Sequence, residues 1–415
     1  MTAEKEPRGV AGPLDQRRRA PAPDLARGVM LLLISLANTP FYLYGRATSQ
    51  GSSHPVDGTL SERIVQFVMI TGVDLRVYPM FAFLFGYGLM MVYRRQTERG
   101  LPERDAWRLL QRRNLWLLVF GAVHALLLWG GDILGAYGLC GLLLVAVFIR
   151  RANKTLLWWA AGGAVALAIL AALTTLGALE ALAEGESSPA GVSPPDFIYR
   201  TASEESTLTA AGLRMMMWPL QTILVQGPAS IVVPVAILLG FWGARRRLLE
   251  RPGEHLRLLR ATAALGICIG WAGGLPHALA HVGVIDGLAD VMWLFGATQM
   301  VTGLAGGLGY VALFGLIGHR LASRQPGPVQ RSISAVGKRS LTCYLAQSVL
   351  CAPVLAAWGS GLGAQLNSTT MALYAIGVWL ATVVFATVLE RHHRPGPADA
   401  LLRRLTYRSA VRSSS

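Results

Sequence analysis

Apolar runs about as long as a bilayer is thick recur along this chain, and they leave it very few folds. Residues 155–179, TLLWWAAGGAVALAILAALTTLGAL, contain no Asp, Glu, Lys or Arg. A hydrocarbon core about 30 Å thick takes about 20 helical residues to cross. Inside it every backbone amide must be bonded within the protein, which leaves helices or a closed barrel. A barrel would show short alternating segments, and no such pattern is present. The expectation is an all-α polytopic transmembrane bundle. Composition agrees: 53% of the 415 residues are hydrophobic and 15% are charged, against about 25% charged in a typical soluble domain.

About ten spans are expected, over 25–44, 75–93, 113–129, 131–149, 155–179, 229–244, 258–276, 294–317, 336–355 and 371–390. Residues 64–72 and 213–225 are shorter apolar segments, read as interfacial or re-entrant helices. The chain then divides into a basic tail over 1–24, a transmembrane domain over 25–390 with a long external loop at 180–228, and a tail over 391–415. The loop carries EGESSPAGVSPPD, a lid or, better, a linker. No cleavable signal peptide is expected.

The net charge of +15 does not point to nucleic acid, because no tandem basic helices with interleaved aromatics lie outside the apolar blocks. Lys and Arg instead gather in alternate loops: RRR at 17–19, RR at 94–95, RR at 150–151 and RRR at 245–247. The intervening loops hold only Arg46, Arg63, Arg200 and Arg214. The positive-inside rule puts both termini in the cytoplasm of a bacterial plasma membrane, with the lipid bilayer as the obligatory partner.

Ionisable and polar residues within spans carry a cost, so each needs a reason. Arg27 and Asn38 are eleven residues apart. That spacing is about three helical turns and about 16 Å, so both share one face. Arg27 is either a snorkelling anchor or a cation facing a cavity. His124, in the run FGAVHALLLWGGDILGAYG, lies at a depth similar to Asn38 and to Gln347, which shares a face with Tyr344. The three depths predict one polar cavity. They are equally compatible with interhelical hydrogen bonds. A neutral imidazole suits general-base work. Asp132 is placed to cap the next helix, to orient His124, or to hold a substrate hydroxyl. Arg76 opens a span from the outside, and His54 lies in the first external loop. His277, His281 and Asp286 would form a metal site only on a regular helix, which Pro276 and nearby glycines disfavour, and no metal is expected. The four cysteines lie in apolar segments and have no zinc-ligand spacing. No P-loop, dinucleotide fingerprint, nucleophile elbow or HExxH is present.

The segments DLARGVMLLLISLAN, FLFGYGL, FGAVHALLLWGGDILGAYGLCGLL, VGKRSLTCYLAQS and GPADALLRRLTY follow one another in this order. Together they resemble the YeiB-like bacterial membrane proteins, a family with a domain of unknown function, over most of 24–408. That family is distantly similar to the transmembrane acyltransferases. The bacterial O-acyltransferases carry a basic residue, ten spacers and a histidine; here Arg27 matches the basic residue and Asn38 stands at the histidine position. The lysosomal heparan-glucosaminide acetyltransferase also has asparagine there and uses a histidine in the following luminal region, for which His54 is the nearest counterpart by position. The resemblance implies acyl transfer from a cytoplasmic donor, acetyl-CoA or another acyl-CoA, to an external hydroxyl or amine on a small molecule, glycan or lipid. No bound cofactor is expected. His124, Asp132 and His54 are the catalytic candidates, and Arg27, Asn38, Arg76, Tyr344 and Gln347 the substrate-binding ones. The alternatives are a proton-coupled transporter or exporter of an anionic solute, and a non-catalytic membrane scaffold.

The charge asymmetry makes one prediction directly. A reporter active only outside the cytoplasm should give signal when fused at Ser188 and none at Ser413. Signal at both would put an even number of spans between them and refute the topology.

Overall fold

The computed structural model describes residues 21–48, 52–184, 194–285 and 296–407. The expectations for 1–20, for most of the linker run, for Asp286 and for the last residues lie outside these. Fifteen α-helices account for the described fold, and its only β contact is an isolated bridge between Thr48 and Pro55. In chain order they are α1 (Pro21–Asn38), α2 (Leu60–Gly72), α3 (Val77–Glu98), α4 (Glu103–Leu127), α5 (Leu134–Phe148), α6 (Asn153–Glu184), α7 (Pro194–Ser203), α8 (Thr207–Leu220), α9 (Val232–Arg245), α10 (Leu256–His281), α11 (Gly296–Ala322), α12 (Pro328–Lys338), α13 (Ser340–Leu355), α14 (Ser368–Arg391) and α15 (Pro397–Tyr407).

Each segment expected to span is largely helical, but fewer than ten of these helices are long and apolar enough to cross unaided. Among the described residues six stretches meet both conditions: 22–42, 60–98, 153–177, 252–281, 296–322 and 368–391. Helices α5, α9 and α13 are apolar but only 15, 14 and 16 residues long. At 1.5 Å per residue they cover about 21–24 Å, short of a hydrocarbon core. Helix α4 has the length, but Glu103, Arg104, Asp105 and Arg108 occupy its beginning. The segment expected as a separate short helix before α3 is α2, which together with α3 makes one apolar stretch, 60–98, broken at 73–76. The other ambiguous segment is α8, which contains Pro219 and ends in a π-turn over Gln221–Val225.

The break between α2 and α3 explains Arg76. Leu75 has a positive φ of 60°, and the interrupted ladder leaves carbonyls bare. The buried Arg76 guanidinium donates to the carbonyls of Ile70, Asp74 and Gly270. The guanidinium is thereby turned to main-chain acceptors inside the bundle.

Helices α1, α3 and α9 form the centre. Met30, Leu31, Met80, Tyr87, Val232, Ile237 and Phe241 are wholly buried. Helices α6 and α14 lie outside, with Trp158 at 76% and Val384 at 64% exposure. That is an apolar exterior suited to lipid. Small residues bring helices together where a side chain would prevent contact. A Cβ on Gly270 of α10 would lie 2.7 Å from the Gly306 Cα of α11. On Gly162 of α6 it would meet nothing within 4 Å. Gly270→Ala should therefore lower thermal stability, by roughly 1–3 kcal/mol for an overpacked contact. Gly162→Ala should leave stability unchanged or raise it, since Ala is the better helix former by about 1 kcal/mol. Melting curves of the detergent-purified variants measure both.

Candidate functional site

Helix α4 delivers His124 one turn before its C-terminal end, and the chain then reverses through Leu128–Ile133 into α5. The reversal returns Asp132 to His124. Asp132 Oδ1 lies 2.8 Å from His124 Nδ1, and both residues are buried, at 0% and 2% exposure. The same carboxylate accepts from the backbone N–H of Leu134 (3.2 Å) and Gly135 (2.7 Å) and from Trp218 Nε1 (3.4 Å). Two roles that the sequence left as alternatives are thus filled together: Asp132 caps α5 and holds the imidazole. Burying a carboxylate is costly unless its oxygens are bonded, and here four donors surround it. In the neutral imidazole that donates Nδ1–H to this carboxylate, Nε2 is the acceptor. Ser348 Oγ sits 2.8 Å from Nε2, within hydrogen-bond distance.

Two further features hold His124 in place. Arg214 of α8 donates from Nε to the Ala125 carbonyl and from Nη2 to the Leu126 carbonyl, both at 2.9 Å. A cation at a helix C-terminus is favoured by the exposed carbonyls and the helix dipole. Gly121, one turn before His124, lets α5 approach: a Cβ there would fall 2.2 Å from the Gly135 nitrogen and 2.4 Å from Asp132 Oδ2.

Two cavities flank this assembly. The larger, of about 290 Å³, opens where α1, α4 and α13 begin and α3 ends. Its wall carries Arg27, Arg95, Arg113, Lys338, Arg339 and Arg403, opposed by Asp24 and Asp399. Several of these cations are already engaged. Arg27 lies 3.6 Å from Asp24 and donates to the Leu84 carbonyl, while Lys338 and Arg339 both hold Glu390 at 2.6 Å. Arg113 lies over the Phe85 ring at 5.8 Å. Burial raises the Asp399 carboxyl above its ordinary range; its oxygen accepts from the Thr342 hydroxyl at 2.7 Å.

The smaller cavity, about 20 Å³, lies further along α13. It is lined by Ser35, Asn38, Tyr344, Gln347, Ser348 and Cys351, among others. Its volume holds about one water. Tyr344 lines both cavities and stands between them, with its ring 5.2 Å from that of His124. Gln347 Nε2 donates to the Leu31 carbonyl at 3.1 Å. Asn38 and Gln347 therefore share a wall. His124 lines neither cavity and reaches the smaller one through Ser348. Arg27 and Asn38, on the same helix, line the large and the small cavity respectively.

His54 and Arg76 are elsewhere. His54 Nε2 pairs with Asp74 Oδ2 at 2.8 Å, and its ring is 6.2 Å from His281. Helix α10 continues through Pro276, contrary to the expectation from sequence, so His277 and His281 do share a helix. Gln299 Nε2 donates to His277 Nδ1, and His281 Nε2 binds the Pro55 carbonyl. No group of three His, Cys, Asp or Glu is arranged to hold a metal among the described residues.

Sequence reasoning overlooked Ser348, although it ends VGKRSLTCYLAQS. Its spacing of four from Tyr344 put it on the helix face already under consideration. Lys338, Arg339 and Arg403 were also overlooked, since only the fold draws them around one cavity. The Arg214 contacts make a specific prediction. Arg214→Ala strips two buried carbonyls of their donor and should destabilise by roughly 1–3 kcal/mol, read as a lowered melting temperature. An unchanged melt would mean that α4 does not depend on this cap.

Residues 243–409 match the family described as protein of unknown function DUF418. The chain is 27% identical over 404 residues to the uncharacterized protein YeiB of Escherichia coli (strain K12), covering 92% of this chain and 94% of that protein. It is 28% identical over 343 residues to the uncharacterized protein YxaH of Bacillus subtilis (strain 168), covering 81% and 80%. A 126-residue stretch, 30% of this chain and 33% of the relative, is 36% identical to an uncharacterized 39.9 kDa protein in the amylase 3′ region of Bacillus acidopullulyticus. Over residues 243–409 the chain matches the DUF418 model, a domain of unknown function, and over most of its length it is similar to the YeiB protein.

Proposed function

We propose that this protein transfers an acyl group across the membrane, from a cytoplasmic acyl-CoA to a hydroxyl or amine that approaches from the opposite side. One observation carries the reading: His124, fixed by Asp132, reaches through Ser348 a polar pocket at the far side of Tyr344 from a basic cavity. The geometry supplies a base, and the basic cavity supplies cations for phosphate groups. Guanidinium groups bind phosphate oxygens through paired N–H donors, which suits Arg27, Arg113 and Arg403. The thioester end of the donor would then lie towards Tyr137 and Tyr344. In the small pocket the Asn38 amide is the candidate donor to a developing oxyanion, since the Gln347 amide nitrogen is already held by a carbonyl. The chemistry calls on no bound cofactor: CoA is a substrate, and the proton moves to His124.

A second reading, a proton-coupled transporter of an anionic solute, draws on the same Tyr344. A ring that lines two separate cavities suits a gate between them. Two assays separate the readings. Acyl transfer predicts release of CoA from acetyl-CoA or a longer acyl-CoA by the purified protein. Transport predicts solute movement in proteoliposomes without thioester cleavage.

Replacing His124 by Gln keeps polarity and approximate size but removes the base. Acyl transfer should fall by roughly 10²–10⁴-fold, with expression retained. Asp132→Asn should also impair transfer strongly, because an amide can present N–H to the ring and favour the wrong tautomer. Wild-type rates in both variants would refute the reading.

A further inference from the structure

We infer that Ser348 is the nucleophile of this site and carries the acyl group as an ester between donor and acceptor. The inference rests on the acyl-transfer reading for its substrate and on geometry for its residue. His124 is 2% exposed and lines neither cavity. Its Nδ1 is held by Asp132 and its Nε2 by Ser348, each at 2.8 Å. With the Ser348 hydroxyl on Nε2, an acceptor hydroxyl cannot reach this base until Ser348 has given up its proton and been acylated. The only group bonded to Nε2 that lines a cavity is the Ser348 hydroxyl. Aspartate, histidine and serine joined in this order make up the arrangement by which a neutral hydroxyl becomes a nucleophile.

The residue positions fit the reaction. Helix α13 begins beside the basic cavity, at Ser340 and Leu341, reaches Tyr344, and one turn further presents Ser348 to the polar pocket. Ser348 Oγ attacks the thioester carbonyl carbon, and its proton passes to His124 Nε2. The tetrahedral oxyanion then collapses, the C–S bond breaks, and the proton goes to the departing thiolate as CoA thiol. An acceptor hydroxyl or amine next attacks the Ser348 ester while its proton passes to Nε2. The C–Oγ bond breaks, and the proton returns to Ser348. Both half-reactions conserve protons and electrons, and Asn38 lines the pocket in which both oxyanions form.

The test uses the full-length protein in nanodiscs and two probes. Diisopropyl fluorophosphate reports an activated serine whatever the natural acyl donor. Peptide mass spectrometry should find one adduct on Ser348, absent from Ser348→Ala and formed roughly 10²–10⁴-fold more slowly in His124→Gln. Radiolabelled acetyl-CoA without acceptor should leave a labelled ester on wild type and none on Ser348→Ala. A wild-type protein without the fluorophosphate adduct overturns the nucleophile. So does Ser348→Ala that still transfers acetyl groups at the wild-type rate, and acyl transfer then stands with another route. An adduct at Ser348 with no cleavage of any acyl-CoA preserves the nucleophile and removes the proposed donor.

Discussion

The Asp132 carboxylate is the contact on which the rest of the site depends. It lies wholly inside a bundle of apolar helices, where an unpaired ion would be several kcal/mol unfavourable. It is tolerated because four donors converge on its two oxygens. Two of those donors are backbone amides that any α5 N-terminus would have to satisfy in some way. The carboxylate thereby joins the capping of a helix to the orientation of an imidazole. The reversal between α4 and α5 is tight because Gly121, Gly131 and Gly135 allow the backbone and the Trp129 and Trp218 rings to close around it. Loss of that closure would move His124 away from Ser348, because the ring has no other anchor on Nδ1.

Arginines divide into two kinds in this fold. Arg76, Arg214 and Arg339 are buried and donate to main-chain carbonyls: at the α2–α3 break, at the end of α4, and at Ala335 and Arg394. Arg245 does the same where α5 ends, donating to the carbonyls of Ile149 and Arg151. These residues replace the hydrogen bonds that a helix end or break lacks, in a setting without water to do so. Arg113 and Arg403 line the large cavity instead, where no carboxylate forms an ion pair with them among the described residues. The other cations on that wall, Arg27, Arg95, Lys338 and Arg339, share their charge with carboxylates, so the pattern of basic loops overstates the charge available for binding.

Helix α13 organises the path between the cavities. Its first residues belong to the basic end, Tyr344 separates the two spaces, and Gln347 and Ser348 face the polar pocket. Helix α1 runs alongside it in the same sense, with Arg27 at the large cavity and Asn38 at the small one. The two helices therefore present matched pairs of polar groups at two depths. Asp132 and His124 approach from the side, on α4 and the turn that follows it.

Much of this was legible in the sequence, for definable reasons. Apolar length determined the helical membrane fold, because backbone polar groups in lipid have no solution other than internal pairing. Helical period determined that Arg27 shares a face with Asn38, and Tyr344 with Gln347. Depth along a span placed Asn38 and Gln347 on one cavity, but His124, expected beside them, reaches it only through Ser348. The sequence could not decide which helices are long enough to span unaided, because charge at the start of α4 and the short lengths of α5, α9 and α13 interrupt an otherwise continuous apolar pattern. Nor could it tell Arg76, which serves carbonyls, from Arg113, which faces a cavity, since both are cations beside apolar runs. Sequence favoured His124 over the loop residue His54, but it could not show that each is paired with an aspartate, Asp132 and Asp74 respectively. Above all, the bond from His124 to Ser348 joins residues 224 positions apart. Periodicity reports only which residues share a helix face; which faces meet is decided when glycines let particular helices close to backbone contact, and that information exists only in the tertiary structure.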